Sequence, residues 1–323
     1  ITYILTTIRL MLFKKITIKN NFRFIIYVVI TFLMNKFFLN NNSKGILWMF
    51  GFIINITIMA LCIRELGYKY NSFEIQNFRN FFSIIILLIL FILNKNIKIN
   101  TYQLRNNFIR NIFHFIGQSC WTWGLTVLPL ALVFSLEFTM PIWASIIALL
   151  FLKERITLNK ILFLIIGLIG TYTILLPATN NINFYNLIVL FSAIAYAVAH
   201  NFTKKLTETD SILSILFFMS VIQLPFSFIG SILVGNMNYY ILNELPLIIF
   251  LTITSLLAHL SLSSALKNSD ATVILPIDYI RLPLIAVIGW YYYDEIMTYN
   301  IIIGSSLIIF GTIFFVKNDF MKK

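Results

Sequence analysis

The stretch "PIDYIRLPLIAVIGWYYYDE", Pro276 to Glu295, decides the fold. Its middle is apolar enough to lie in lipid, yet Asp278 and Arg281 stand three residues apart within it. A charge at the bilayer centre costs at least about 2.5–3.5 kcal/mol on insertion scales, so a helix that carries two must shield them inside protein. The whole chain repeats this character. Of its 323 residues 59% are hydrophobic and 11% charged, where a soluble domain holds roughly 25% charged residues. Mean hydropathy is +0.89. The chain therefore reads as an integral membrane protein. Its net charge of +12 belongs to loops that meet anionic lipid rather than to nucleic-acid binding. Cys62 and Cys120 fall in apolar stretches and serve packing; no disulfide framework or metal spacing is visible.

Hydropathy and loop breakers predict an all-α integral membrane fold of ten transmembrane helices, at 46–63, 78–93, 107–127, 130–151, 160–176, 186–203, 212–234, 245–266, 271–292 and 299–316. The loops between them are too short for a soluble catalytic domain. Residues 1–44 stand outside this core; their apolar part, 24–39, reads as a surface-lying helix, an eleventh span or translated upstream sequence. Charge sets the orientation. With both core termini in the cytoplasm, the inner loops hold Lys95, Lys98, Arg105, Lys153, Arg155, Lys160, Lys204, Lys205 and Lys267, and the outer loops only Arg64 and Lys69. The expected location is a bacterial inner membrane.

An internal repeat organises the core. With Glu154 aligned on Glu295, an offset of 141, Thr157 meets Thr298, Asn159 meets Asn300, Gly170 meets Gly311 and Glu137 meets Asp278. The shift moves the chain by five helices, so the halves cross the membrane in opposite senses, a 5+5 inverted-topology repeat common in secondary transporters. The expected divisions are 1–44, 45–177, 178–317 and a cytoplasmic tail, 318–323.

Glu137 and Asp278 each lie about 10 Å into their helices, and Arg281 one turn further at about 15 Å. Either carboxylate can neutralise the arginine, as a packing ion pair or as the wall of a polar cavity. In the cavity reading Arg281 meets an anionic solute group and Glu137 or Asp278 a cationic one. Pro141, Pro276 and Pro283 interrupt the same helices and free backbone carbonyls. His114 and Gln118 share a face of the third helix, and His259 matches Gln118 at the repeat offset. His114 suits a proton relay or an interhelical hydrogen bond equally. Trp121 and Trp123 suit interfacial anchoring better than stacking on a solute ring. Arg79 reads as snorkelling to headgroups rather than reaching a cavity. His200 and Asn201 read as interfacial, and "KER" (153–155) and "YDE" (293–295) as solvated turns. The candidate solute-binding set is Arg281, Asp278, Glu137, His114, Gln118, His259, Tyr279 and Trp121, with no catalytic or metal-binding residue and no cofactor. The cavity is expected between the third, fourth, eighth and ninth helices.

The pieces "LEFTMPIWASIIALLFLKERIT" (136–157), "IIGLIGTYTILLP" (165–177) and "LPIDYIRLPLIAVIGWYYYDEIMT" (275–298) resemble EamA-type members of the drug/metabolite transporter superfamily over about 46–316. "NSFEIQNFRNFF" (71–82) and "CWTWGLTVLP" (120–129) are similar to S-adenosylmethionine uptake carriers of intracellular bacteria. The resemblance implies a secondary transporter that moves a small polar or charged metabolite by alternating access, with S-adenosylmethionine as candidate solute. Amino-acid or vitamin transport, and a non-transporting assembly subunit, are the alternatives. The expected partners are a small-molecule metabolite and membrane lipid, with a homodimer left open and nucleic acid excluded. The sequence holds no P-loop and no H-E-x-x-H pattern, so neither an ATPase nor a metalloenzyme is expected.

Overall fold

The computed structural model describes residues 41–94, 99–154, 157–176, 184–235, 241–294 and 296–320. The expectations for 24–39 and for Lys95, Lys98, Arg155, Glu295, Lys322 and Lys323 lie outside the described residues. Residues 45–323 form one compact unit. Its described residues hold helices and no strand, because in hydrocarbon a backbone must satisfy its own hydrogen bonds.

The helices are α1 (Asn41–Leu66), α2 (Ser72–Leu93), α3 (Leu104–Val127), α4 (Leu130–Glu137), α5 (Met140–Ile147), α6 (Leu158–Leu175), α7 (Phe184–Leu206), α8 (Ile212–Val234), α9 (Leu245–Asn268), α10 (Ala271–Ile277), α11 (Arg281–Tyr292) and α12 (Tyr299–Phe320). Among the described residues, seven stretches are long and apolar enough to cross a membrane, two of them running through breaks: Leu132–Leu152 through α4 and α5, and Ala271–Tyr292 through α10 and α11. Two shorter apolar helices, Leu158–Ile174 and Tyr299–Phe315, accompany them. The helix that falls short of the expected ten is α3, whose buried face carries Asn107, Arg110, Asn111, His114 and Gln118. Those polar groups lower its hydropathy, and neighbouring helices cover them. Outward-facing Leu150, Phe151, Phe310 and Phe314 are exposed, as lipid contact requires.

Two prolines, Pro141 and Pro283, place the breaks; Pro276, also expected to interrupt its helix, lies within α10. Pro141 has no N–H to offer the Glu137 carbonyl, and Pro283 none for that of Tyr279. The chain accordingly leaves the α-helix at Phe138–Thr139 and tightens to a 3₁₀ turn at Asp278–Ile280. A five-residue π-helical segment, Ala148–Leu152, closes the first broken helix.

The repeat reappears in the backbone. Among the described residues, only Lys153 (φ 55°) and Asp294 (φ 53°) are non-glycine residues at positive φ, and they stand 141 apart, each just after a broken helix. Arg64 donates to the carbonyls of Leu125 (2.8 Å) and Leu128 (2.6 Å), and Lys204 does the same for Leu266 (2.6 Å) and Ser269 (2.7 Å), the carbonyls one repeat later. Both cations neutralise a helix C-terminus, where unpaired carbonyls concentrate negative charge. Lys204 is thus a cap rather than a lipid-facing charge.

Two turn readings and one loop reading need correction. Glu154 is buried, and its carboxylate accepts from the N–H groups of Ala271 (2.9 Å) and Thr272 (3.0 Å) at the start of α10. It is a cap supplied from 117 residues away. Lys160 is also buried and donates to Thr272 Oγ1 at 2.8 Å. Tyr293 donates to Glu65 Oε1 at 2.9 Å, and its hydroxyl is pushed up from the ordinary tyrosine value by burial and by the adjoining carboxylate, which keeps the donor protonated.

α6 and α12 form one of the closest helix pairs, and they meet backbone to backbone. A Cβ on Gly170 would sit 2.9 Å from the Gly304 carbonyl oxygen, and one on Gly304 would collide with the carbonyl of Gly170. Overpacking typically costs about 1–3 kcal/mol, and backbone cannot yield as a side-chain tip does. Gly304→Leu is expected to lower the thermal unfolding midpoint in detergent by several degrees, whereas Phe310→Leu on the outer face leaves it within about a degree.

Candidate functional site

The two broken helices bring their charges together. Arg281 Nη2 donates to Glu137 Oε1 at 2.8 Å and to Asp278 Oδ2 at 2.6 Å. Arg281 and Asp278 are fully buried, and Glu137 is 6% exposed. The guanidinium also lies over Phe134 (4.9 Å), Phe138 (5.1 Å) and Phe52 (5.7 Å). These rings replace lost hydration with cation–π attraction. The second oxygen of Glu137 accepts from Trp121 Nε1 at 2.7 Å. Trp121 is 1% exposed and holds the carboxylate, so it is not an interfacial anchor. Trp143 and Trp290 do lie on the exposed surface.

Glu137 faces a small cavity of about 20 Å³, shared with Phe52, Ile56, Gln118, Trp121, Tyr196, His200 and His259. Its walls come from α1, α3, α4, α7 and α9. The expectation of walls from the third, fourth, eighth and ninth helices is corrected here. The ninth, α10–α11, stands behind Glu137 and supplies the arginine without lining the space, and α1 and α7 take its place. Four predicted site residues therefore reach the cavity: Glu137, Gln118, Trp121 and His259. Arg281 and Asp278 form the layer beneath.

Tyr279 belongs elsewhere. Its ring packs on Gly167 and contacts Phe138 and Phe163, with centroids at 5.6 and 6.2 Å. His114 lies one layer behind the cavity, its ring 4.8 Å from that of His259 and 5.5 Å from that of Tyr196, with Nδ1 2.9 Å from Gln223 Nε2. That contact is interhelical, between α3 and α8.

Three features escaped the sequence reading. His200 lines the cavity because α7 runs on to Leu206, so the residue sits more than a turn inside the helix. Tyr196, four residues earlier, stacks on it at 5.6 Å and donates to Gln118 Oε1 at 3.1 Å. The i, i+4 spacing in "YAVAH" was the available signal. Arg79 is 2% exposed and does not snorkel. α2 begins at Ser72 under an Asn71–Glu74 capping box, a turn and a half before the predicted start, and this carries Arg79 inward. Among the described residues, no group of His, Cys, Asp or Glu is placed to hold a metal.

A small, mostly apolar hollow with Glu137 at its wall, and a shielded ion cluster beside it, sits within a bundle of helices apolar enough to cross a membrane. The chain belongs to the EamA-like transporter family, which matches residues 43–176 and 183–317 separately, so the family unit occurs twice. The S-adenosylmethionine uptake transporter of Rickettsia prowazekii (strain Madrid E) is 28% identical over 279 residues, covering 85% of this chain and 93% of that protein. The riboflavin transporter of Brucella anthropi is 27% identical over 207 residues, covering 63% of this chain and 73% of that one. A crystal structure of another protein superposes with a TM-score of 0.69 at 15% identity, over 84% of this chain and 95% of that chain, which is a likeness of fold alone. The protein is a transporter and not an enzyme, embedded in a bacterial membrane by several helices.

Removing one partner of a buried ion pair costs about 3–5 kcal/mol because the other charge is stranded. Arg281→Ala strands two carboxyl groups and is expected to unfold well below the wild type in a detergent melt. Adding Asp278→Asn should restore part of the loss, and equal midpoints for the single and double variants would refute the shared ion pair.

Proposed function

We propose that the protein is a secondary transporter that moves a small charged metabolite by alternating access, with S-adenosylmethionine as the leading candidate. The observation that carries this reading is Glu137. It is a carboxylate at membrane depth, fixed by Arg281 and Trp121, with an oxygen-bearing face on the cavity. Such a group attracts a cation, and the sulfonium and ammonium groups of S-adenosylmethionine are cations. Phe52, Trp121 and Tyr196 offer aromatic faces for a heterocycle and for cation–π contact. The name carried by the Rickettsia relatives points the same way. Riboflavin, suggested by the Brucella relative, bears no charge that would use Glu137.

The halves, 45–177 and 178–317, would lie in opposite senses, ten helices in all, with both core termini in the cytoplasm of the inner membrane. The matched caps at Arg64 and Lys204 and the matched turns at Lys153 and Asp294 support two equivalent units. Ligand pockets usually span about 300–1,000 Å³. With about 20 Å³ of free space, the cavity has room for about one water and corresponds to a closed state, from which α1 or α9 must withdraw to admit a nucleoside-sized solute. Energy would come from a gradient or from exchange.

The test is uptake of radiolabelled S-adenosylmethionine into proteoliposomes, with riboflavin and amino acids as parallel solutes. Wild-type vesicles should accumulate S-adenosylmethionine above protein-free vesicles. Glu137→Gln should cut uptake at least about tenfold, the scale of one lost charge contact of about 1.5–3 kcal/mol. That variant leaves Arg281 paired with Asp278, so its melting midpoint should fall less than that of Arg281→Ala. Flux of none of these solutes would favour a non-transporting subunit.

A further inference from the structure

Behind His259 and Tyr196 lies a second cluster of opposite character. Arg79 and Arg110 are each 2% exposed, on α2 and α3. Arg79 Nη2 donates to Gln223 Oε1 (3.3 Å) and Asn80 Oδ1 (3.1 Å), and Arg110 donates to Asn111 Oδ1 (2.7 Å) and Thr203 Oγ1 (3.0 Å). All four acceptors are neutral. Among the described residues neither guanidinium forms an ion pair, in contrast to Arg281, which takes two carboxylates.

The buried carboxylates among the described residues are engaged elsewhere. Glu137 and Asp278 hold Arg281, and Glu154 caps α10. Glu74 closes its own capping box, and Asp210 takes Thr101 and the Tyr102 N–H. Two dehydrated cations without a counter-ion are costly, since the effective penalty is several kcal/mol per ion. The cluster also holds unused buried polar atoms: Arg79 Nη1, Asn80 Nδ2, His114 Nε2 and His259 Nε2. A chain of contacts joins it to the cavity, from His259 at the wall through His114 and Gln223 to Arg79.

We infer that Arg79 and Arg110 form the seat for a carboxylate group of the transported solute, opposite the cation-binding Glu137. The inference rests on the reading that a solute enters this cavity. It narrows the substrate class to zwitterions, molecules with a cationic group at one end and a carboxylate at the other. An arginine fork takes a carboxylate bidentately, and such charge-assisted bonds are roughly twice as strong as neutral ones. The amide and hydroxyl partners seen here would hold the forks in place until the anion arrives. Like charges brought together and then neutralised by the solute favour its binding over an uncharged analogue.

The test uses the purified full-length protein in nanodiscs. S-adenosylmethionine and decarboxylated S-adenosylmethionine differ only in the carboxylate. Wild type should bind the first at least tenfold more tightly. Arg79→Gln and Arg110→Gln should each bring that preference to within about twofold without lowering the affinity for the decarboxylated compound, which doubles as the folding control. Arg79→Lys, which keeps the charge and loses the fork, should fall between. Glu137→Gln should weaken both compounds alike. A solute-independent arm measures thermal stabilisation by sodium acetate against sodium chloride at equal ionic strength, expected in wild type and absent in Arg79→Gln.

Acetate stabilisation without binding of either nucleoside compound would keep the seat and discard the candidate solute. Equal binding of both compounds by wild type, or a preference that survives both glutamine variants, would overturn the seat and leave the transporter reading standing. Should the glutamine variants fail to fold, wild type decides alone: no carboxylate preference and no acetate effect would overturn the inference.

Discussion

One guanidinium shared by two carboxyl groups is the constraint on which the rest depends. Arg281 cannot leave the protein interior without exposing its charge to lipid, and it cannot stay there without Glu137 and Asp278. Because Glu137 belongs to the first half and Asp278 to the second, the ion cluster ties two helices far apart in the chain at their broken turns. The breaks are part of the same arrangement. Prolines remove backbone bonds where the carboxylates sit, so the chain is irregular only where protein covers it. Phe134 and Phe138 then roof the arginine, and Trp121 fixes the oxygen left over.

The halves share a scaffold and differ in chemistry. Glu137 corresponds to Asp278 at the repeat offset, but Arg281 corresponds to Met140, so the cation was placed once and serves both sides. The caps and left-handed turns, by contrast, come in pairs. Duplicated backbone with unduplicated charge is what a carrier needs if two equivalent frames are to present one asymmetric solute site.

Much of this was legible in the sequence, for stated reasons. Apolar run length marks the helices because lipid imposes it. Proline positions mark the breaks because a missing N–H acts locally. The carboxylate–arginine pairing follows because intramembrane charges have few permissible neighbours. What sequence spacing does not convey is which helix a polar face meets. Glu154 looks like a turn residue until α10 arrives from 117 positions away. Arg79 and His200 look interfacial when their helices are cut short; the Asn71–Glu74 capping box marks the true start of α2, and α7 runs on to Leu206. Tyr279 shares the charged segment yet points to Gly167, a contact no periodicity foretells.

The crossing of Gly170 and Gly304 carries a mechanical corollary. Most helix contacts can absorb a small rotation by letting side chains change rotamer, but here peptide groups touch with nothing between them. There is no upholstery to compress. Such a contact behaves as a bearing: it tolerates swivelling about itself and resists sliding. If the two halves of this carrier rock, the still point of that motion belongs at these glycines, and the widest excursion on the side of the molecule farthest from them.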